Sequence, residues 1–166
     1  MNSDTHAPEL RPARPDDVEA VADIWYRGWG DGHRGNVPDA LVAARPRDSF
    51  DERATQRVED TVVAVLGGQV AGFVMVDGDE VEQVYVDAAH RGTAVAPALL
   101  SAAEDLVATA GHRRAWLAVV PGNSRARRFY SRQGWRDEGV FDHHAPGRDG
   151  PVLVPAHRYV KDLPGE

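Results

Sequence analysis

Residues Glu80 to Gly111 read EVEQVYVDAAHRGTAVAPALLSAAEDLVATAG, joining a strand pattern to a helix pattern through a turn suited to holding phosphate. Residues 81–86, VEQVYV, are β-branched and aromatic, as a buried strand requires, whereas the run from Val95 onward sets Val95, Leu99, Ala102, Leu106 and Ala110 on one helical stripe. Between the two lies Arg91-Gly92-Thr93-Ala94-Val95-Ala96-Pro97, a run of small residues that lets backbone N–H groups approach a ligand before the helix begins. The first amides of a helix lack internal partners and sit at the positive end of its dipole, which favours an anion by about 0.3–1 kcal/mol per charge interaction. Pro97 is tolerated in a first turn and has no N–H, so the donors of residues 92–96 stay free for another group. Arg91 adds a guanidinium fork beside them.

The whole chain of 166 residues, 42% hydrophobic, is long enough for one good core and predicts one domain over residues 9–163 after a disordered tail of residues 1–8. It has no cysteine, which excludes disulfides, thiolate metal sites and a cysteine nucleophile. The first fifteen residues contain no apolar leader and no run approaches the roughly 18 apolar residues of a membrane span, so a cytoplasmic protein with no membrane partner is expected. A net charge of -7 argues against a nonspecific nucleic-acid binder. Yet Arg91, Arg113, Arg114, Arg125, Arg127, Arg128 and Arg132 fall close together in sequence, a locally basic region that fits a small polyanion.

From the N-terminus, residues 9–14 predict a short edge strand and Pro15-Asp16-Asp17 the start of a helix carrying Val18, Val21, Ile24 or Trp25, and Trp29 inward. Trp25 and Trp29 pack a core on this reading, while Gly28 and Gly30 loosen the helix around Trp29 and open it toward a pocket. Residues 30–48 read as a connecting segment with one helical turn at Asp39 to Ala44, and Ser49 to Val58 as a helix started by a Ser49/Glu52 capping box. Residues 61–66 and 69–76, joined by Gly67-Gly68, predict a β-hairpin. After the central helix, capped by Gly111, residues 114–120 predict a buried strand parallel to 81–86, and residues 136–160 two closing strands. His143 and His144 are adjacent on a strand and face opposite ways, so no metal site is expected.

Asn123 to Trp135, NSRARRFYSRQGW, is a complete short helix in itself: Asn123 is a favoured N-cap, Ala126, Phe129 and Tyr130 form an inward stripe, and Gly134 ends it. Its form Asn-x-x-Ala-x-x-Phe-Tyr-x-x-x-Gly-Trp resembles the second motif of the GNAT family of acetyl-CoA-dependent N-acetyltransferases. Arg91-x-x-Ala94-x-Ala96 is similar to that family's cofactor signature, with Ala94 where the first signature Gly is expected. The two motifs stand in the family's order, and the resemblance covers about residues 9 to 163. It implies an α/β fold with a mixed central sheet of about six to seven strands, about four helices, and a splayed parallel strand pair that receives the pantetheine arm of coenzyme A.

By that resemblance Val84 and Val86 offer their backbones to the arm, residues Arg91, Gly92, Thr93, Ala94, Val95 and Ala96 hold the pyrophosphate, and Asn123 contacts the cofactor. Tyr130 stands beside the thioester sulfur as general acid, and His33 and Arg34, with Trp29, are candidates for acceptor contact. Acetyl transfer also needs a base for the amine and a donor for the carbonyl oxygen. A backbone N–H near Val84 fits the second role. Glu82 is the candidate base, on the same face as Val84 and Val86 unless a bulge inverts it; Asp79, Glu80 and a water chain are alternatives. The acceptor implied is a small-molecule primary amine, with a peptide amine or a noncatalytic acyl-CoA-binding domain as competing readings. Closing strands of such folds also pair into homodimers.

Overall fold

The computed structural model describes residues 7–33, 35–147 and 149–164. Seven strands form one sheet in the order β1-β2-β3-β4-β5-β7-β6. They are β1 (Glu9–Pro12), β2 (Thr61–Leu66), β3 (Gln69–Asp77), β4 (Glu80–Val86), β5 (Arg114–Val119), β6 (Arg136–Gly147) and β7 (Gly150–Asp162). Five α-helices flank it among the described residues: α1 (Val18–His33), α2 (Asp39–Ala43), α3 (Arg47–Gln56), α4 (Val95–Thr109) and α5 (Ser124–Arg132). All paired neighbours are antiparallel except β4 and β5, the pair joined through α4. The mixed sheet expected from sequence is therefore present, with one helix more because the turn at Asp39 counts as α2.

Two apolar layers hold the sheet. On one face α4 and α5 bury Val95, Leu99, Leu100, Ala103, Val107 and Tyr130 against Val74, Val81, Leu117 and Tyr159. On the other, α1 and α3 bury Trp25, Trp29 and Phe50 against Val63, Phe73 and Met75. Trp25 stands edge-on to Phe50 at 5.5 Å, and the chain turns into α1 at Asp17, whose buried carboxylate accepts from Arg11 and from the Arg14 amide at 2.7 Å. That bond from Arg11, first, and the amide hold the Asp17 carboxyl below its usual range.

Three local expectations need correction. The buried stripe of α4 runs through Val95, Leu99, Ala103 and Val107, while Leu106 is 40% exposed. Because apolar residues predominate along α4, more than one stripe satisfies a 3.6-residue period, and the neighbouring strands decide between them. Helix α3 starts at Arg47 rather than Ser49; its Ser49 hydroxyl donates to the Pro46 carbonyl at 2.6 Å instead of capping. Pro46, extended at φ −66° and ψ 163°, stands at the N-cap, so the helix begins directly after it and ahead of the capping box. The third concerns β4. Its ladder with β3 pairs Val81 with Val76 and then Gln83 with Met75, leaving Glu82 without a partner on β3. That bulge turns Glu82 away from the face shared by Val84 and Val86, so the same-face expectation fails.

Candidate active site

The parallel strands β4 and β5 share a single ladder pair, Glu80 with Trp116, reinforced by the Trp116 amide donating to the Asp79 carbonyl at 3.1 Å. Beyond it they diverge. The Asp87 amide donates to the Ala71 carbonyl at 2.8 Å, and the Tyr85 carbonyl lies against Gly72, so both point toward β3. Alternation along the strand then turns the polar main-chain groups of Val84 and Val86 into the gap. Exposed strand groups of this kind are a template for an added extended chain.

At the open end of the gap the chain passes from β4 to α4 through the expected small-residue turn. Gly92 takes φ of 76°, a left-handed conformation that costs glycine little, and a side chain would meet nothing there. Ala94 sits at φ −73°, ψ −4°, an ordinary right-handed conformation that does not require glycine. The Thr93 hydroxyl donates to the His90 carbonyl and leaves the turn closed. Val95 is buried beneath it, and Ala96 and Pro97 fill the first turn of α4. Arg91 reaches the Asp31 carboxylate of α1 at 2.8 Å, and Arg125 of α5 lies in the field of both, its proton affinity lowered by burial and then by Arg91.

On the β5 side, Asn123 caps α5 by accepting from the Ala126 amide at 3.3 Å, as its position predicts. Its side-chain amide packs against Gly32 near the end of α1. One turn and a half along α5, Tyr130 is 8% exposed, ringed by Phe129, Trp135 and Tyr159. Burial pushes its phenol above the ordinary tyrosine value. Tyr85 of β4 is raised by burial too, and then by Tyr130.

A cavity of about 170 Å³ runs through this gap, past Val84, Asn123 and Tyr130, and opens beneath α1 on the other face of the sheet. There its wall includes Trp29, His33, Arg45, Arg53, Glu82 and Tyr85, with His143 and Ala145 of β6 opposite. Trp29 is both core and wall, 7% exposed and stacked on His33 at 4.9 Å with rings 6° from parallel. His33 Nδ1 lies 3.1 Å from the Trp29 carbonyl. A carbonyl can only accept, so Nδ1 carries the proton and Nε2 keeps its lone pair in neutral His33. Burial, with a further push from Arg45, lowers this imidazole to about 4. Arg34 lies outside the described residues.

Glu82 bonds Arg57, whose Nε also reaches Asp60 at 3.1 Å. Glu80, the alternative base, lies 3.8 Å from His143. Sequence reasoning missed Tyr85, Asp31, Arg45, Arg53 and Arg57. Arg53 and Arg57 carried a usable signal, since spacing of four puts them on one face of a helix. The others had none, because the residues they meet are distant in sequence.

Comparison with known proteins follows the same lines. An uncharacterized N-acetyltransferase of Mycobacterium tuberculosis strain H37Rv is 32% identical over 114 residues, 65% of this chain and 70% of the relative. A GCN5-related N-acetyltransferase from Rhodopseudomonas palustris superposes with a TM-score of 0.74 at 21% identity, covering 98% of this chain and 100% of that one. PaiA N-acetyltransferase from Thermoplasma acidophilum, solved in complex with coenzyme A, gives 0.70 at 16% identity, covering 95% and 100%. With the acetyltransferase (GNAT) family profile matching residues 19–135, a span that takes in the gap, the small-residue turn and Tyr130, the chain belongs to the GNAT family.

Proposed function

We propose that this protein transfers an acetyl group from acetyl-CoA directly to a primary amine of a small molecule. The observation that carries the reading is the divergence of β4 and β5 after one ladder pair, with Val84 and Tyr130 lining the cavity that occupies the gap. The residues fit the cosubstrate. Val84 and Val86 can pair with the amides of a pantetheine arm, and the turn from Arg91 to Ala96 supplies N–H groups and a guanidinium for the pyrophosphate. Asn123 lies where the arm would pass between α1 and α5.

Acetyl-CoA supplies the activated acyl group; the chain does the rest. The amine loses a proton, its nitrogen bonds the carbonyl carbon, and the carbon–sulfur bond breaks, so the proton lost by the amine balances the one gained by the thiol. The Val84 N–H meets the oxygen as charge develops. Glu82, turned by its bulge toward the acceptor side, takes the amine proton directly or through water. Tyr130 stays protonated because burial raises it, and it donates to the departing sulfur.

Replacing Tyr130 by Phe tests this. Turnover should fall about 10²–10⁴-fold while calorimetry still records coenzyme A binding. Unchanged turnover would remove Tyr130 from the chemistry. Coenzyme A binding with no turnover by the unaltered protein across a broad amine panel would favour a noncatalytic acyl-CoA-binding domain.

A further inference from the structure

Among the described residues, neither carboxylate of the cavity wall, Glu80 or Glu82, is bonded to the wall's two guanidinium groups, Arg45 and Arg53. Arg45, in the short link between α2 and α3, is 8% exposed, and its Nε has no hydrogen-bond partner among the described residues. One outer nitrogen of the guanidinium donates to the neighbouring Ala44 carbonyl at 3.3 Å. Arg53 lies 4.5 Å over the Trp25 ring and 5.9 Å from Phe50, contacts that hold it in place without cancelling its charge. Glu82 is bonded to Arg57 instead, and Glu80 lies 3.8 Å from His143. Burial first, and Arg53 second, pulls the Arg45 guanidinium down to about 10. Two guanidinium groups that face one cavity and repel each other are costly to bury unless an anion joins them.

We infer that Arg45 and Arg53 form a binding site for a carboxylate carried by the acceptor, so that the substrates are amino acids or similar compounds bearing both an amine and a carboxylate. This rests on the acetyl-transfer reading for the amine, whereas the anion site stands on its own geometry. A planar carboxylate matches the guanidinium fork, and the small cavity favours it over bulkier anions. With the carboxylate held at Arg45 and Arg53, the same wall offers Glu82 and the free Nε2 of His33 to the amine. One molecule with both groups thus meets complementary partners.

The test uses matched sets, each an α-amino acid, its primary carboxamide and its decarboxylated amine. Thiol release gives kcat/KM, and calorimetry in the presence of saturating coenzyme A gives binding. The acids should exceed both counterparts at least tenfold in each measure, and Arg53→Gln should erase that preference with coenzyme A affinity unchanged. Arg53→Lys keeps a charge and should keep part of the preference; where Arg53→Gln does not fold, the matched sets on the unaltered protein still decide. Acids that bind without any turnover would sustain the anion site and sink acetyl transfer. Turnover of neutral amines at the same or greater efficiency would sink the anion site and sustain acetyl transfer. Failure of every acid to bind would overturn the inference.

Discussion

On the α4 side of the gap most of the groups proposed to hold the cofactor are main-chain, the edges of Val84 and Val86 and the amides of the turn before α4, with the side chains of Arg91, Asn123 and Tyr130 added to them. On the α1 side the proposed groups are side chains, with Glu82 supplied by a bulge, Arg53 by α3, Arg57 by the residue that follows α3, Arg45 by a link and His33 by the end of α1. Main-chain donors need only the right backbone path, which small residues and a helix start can specify locally. Side-chain clusters need several segments to meet. A chain can therefore hold one side nearly fixed and vary the other, so perturbations of the two sides should separate in experiment.

The largest separation is expected from Glu82→Gln. It removes the proposed proton acceptor and nothing from the cofactor-facing main chain, so turnover should drop about 10²-fold or more with coenzyme A affinity unchanged. Equal losses in coenzyme A binding and turnover would mean that the bulge had collapsed once Arg57 lost its partner.

His33 gives the next effect, on stability. Its unfolded form takes a proton near 6.5 and its folded form near 4. Below pH 6.5 the unfolded chain binds more protons, so stability should fall as pH falls toward 4, by no more than about 3 kcal/mol, and level off below it. His33→Gln should flatten that part of the curve in denaturant titrations. An unchanged slope would show that another group governs it.

Gly28→Ala is smaller. In a helix interior the exchange ordinarily gains about 1 kcal/mol, but here a Cβ would overlap the Tyr85 ring. A ring braced by Phe73 at 5.8 Å cannot swing aside freely, so overpacking of about 1–3 kcal/mol should win and the melting temperature should fall. A rise would mean that Tyr85 yields.

These contrasts match what was legible beforehand. The hairpin at Gly67-Gly68, the crossover through α4 and the cap at Asn123 were local patterns, and each stands where the pattern put it. The side of Glu82 was not legible, because it depends on one residue skipped in a register with β3 that the sequence of β4 does not encode. Nor was the burial of Arg45: a charged residue in a Pro- and Ala-rich link gives no hint that α1, α3 and the β6–β7 hairpin will enclose it.

The cofactor side has one side-chain contact that should test the contrast most finely. Arg91 is paired with Asp31, whose side chain is 53% exposed, so the pair contributes at most about 1 kcal/mol. A pyrophosphate arriving at the turn competes with that carboxylate for the guanidinium and is repelled by it. Asp31→Asn should therefore tighten coenzyme A binding by no more than about fivefold, and the gain should fade as salt rises, since exposed charges are screened over about 10 Å at 0.1 M. If binding weakens instead, Asp31 holds Arg91 in its productive orientation. The cofactor side would then depend on a tertiary side-chain contact after all, and the division between a main-chain side and a side-chain side would have to be redrawn.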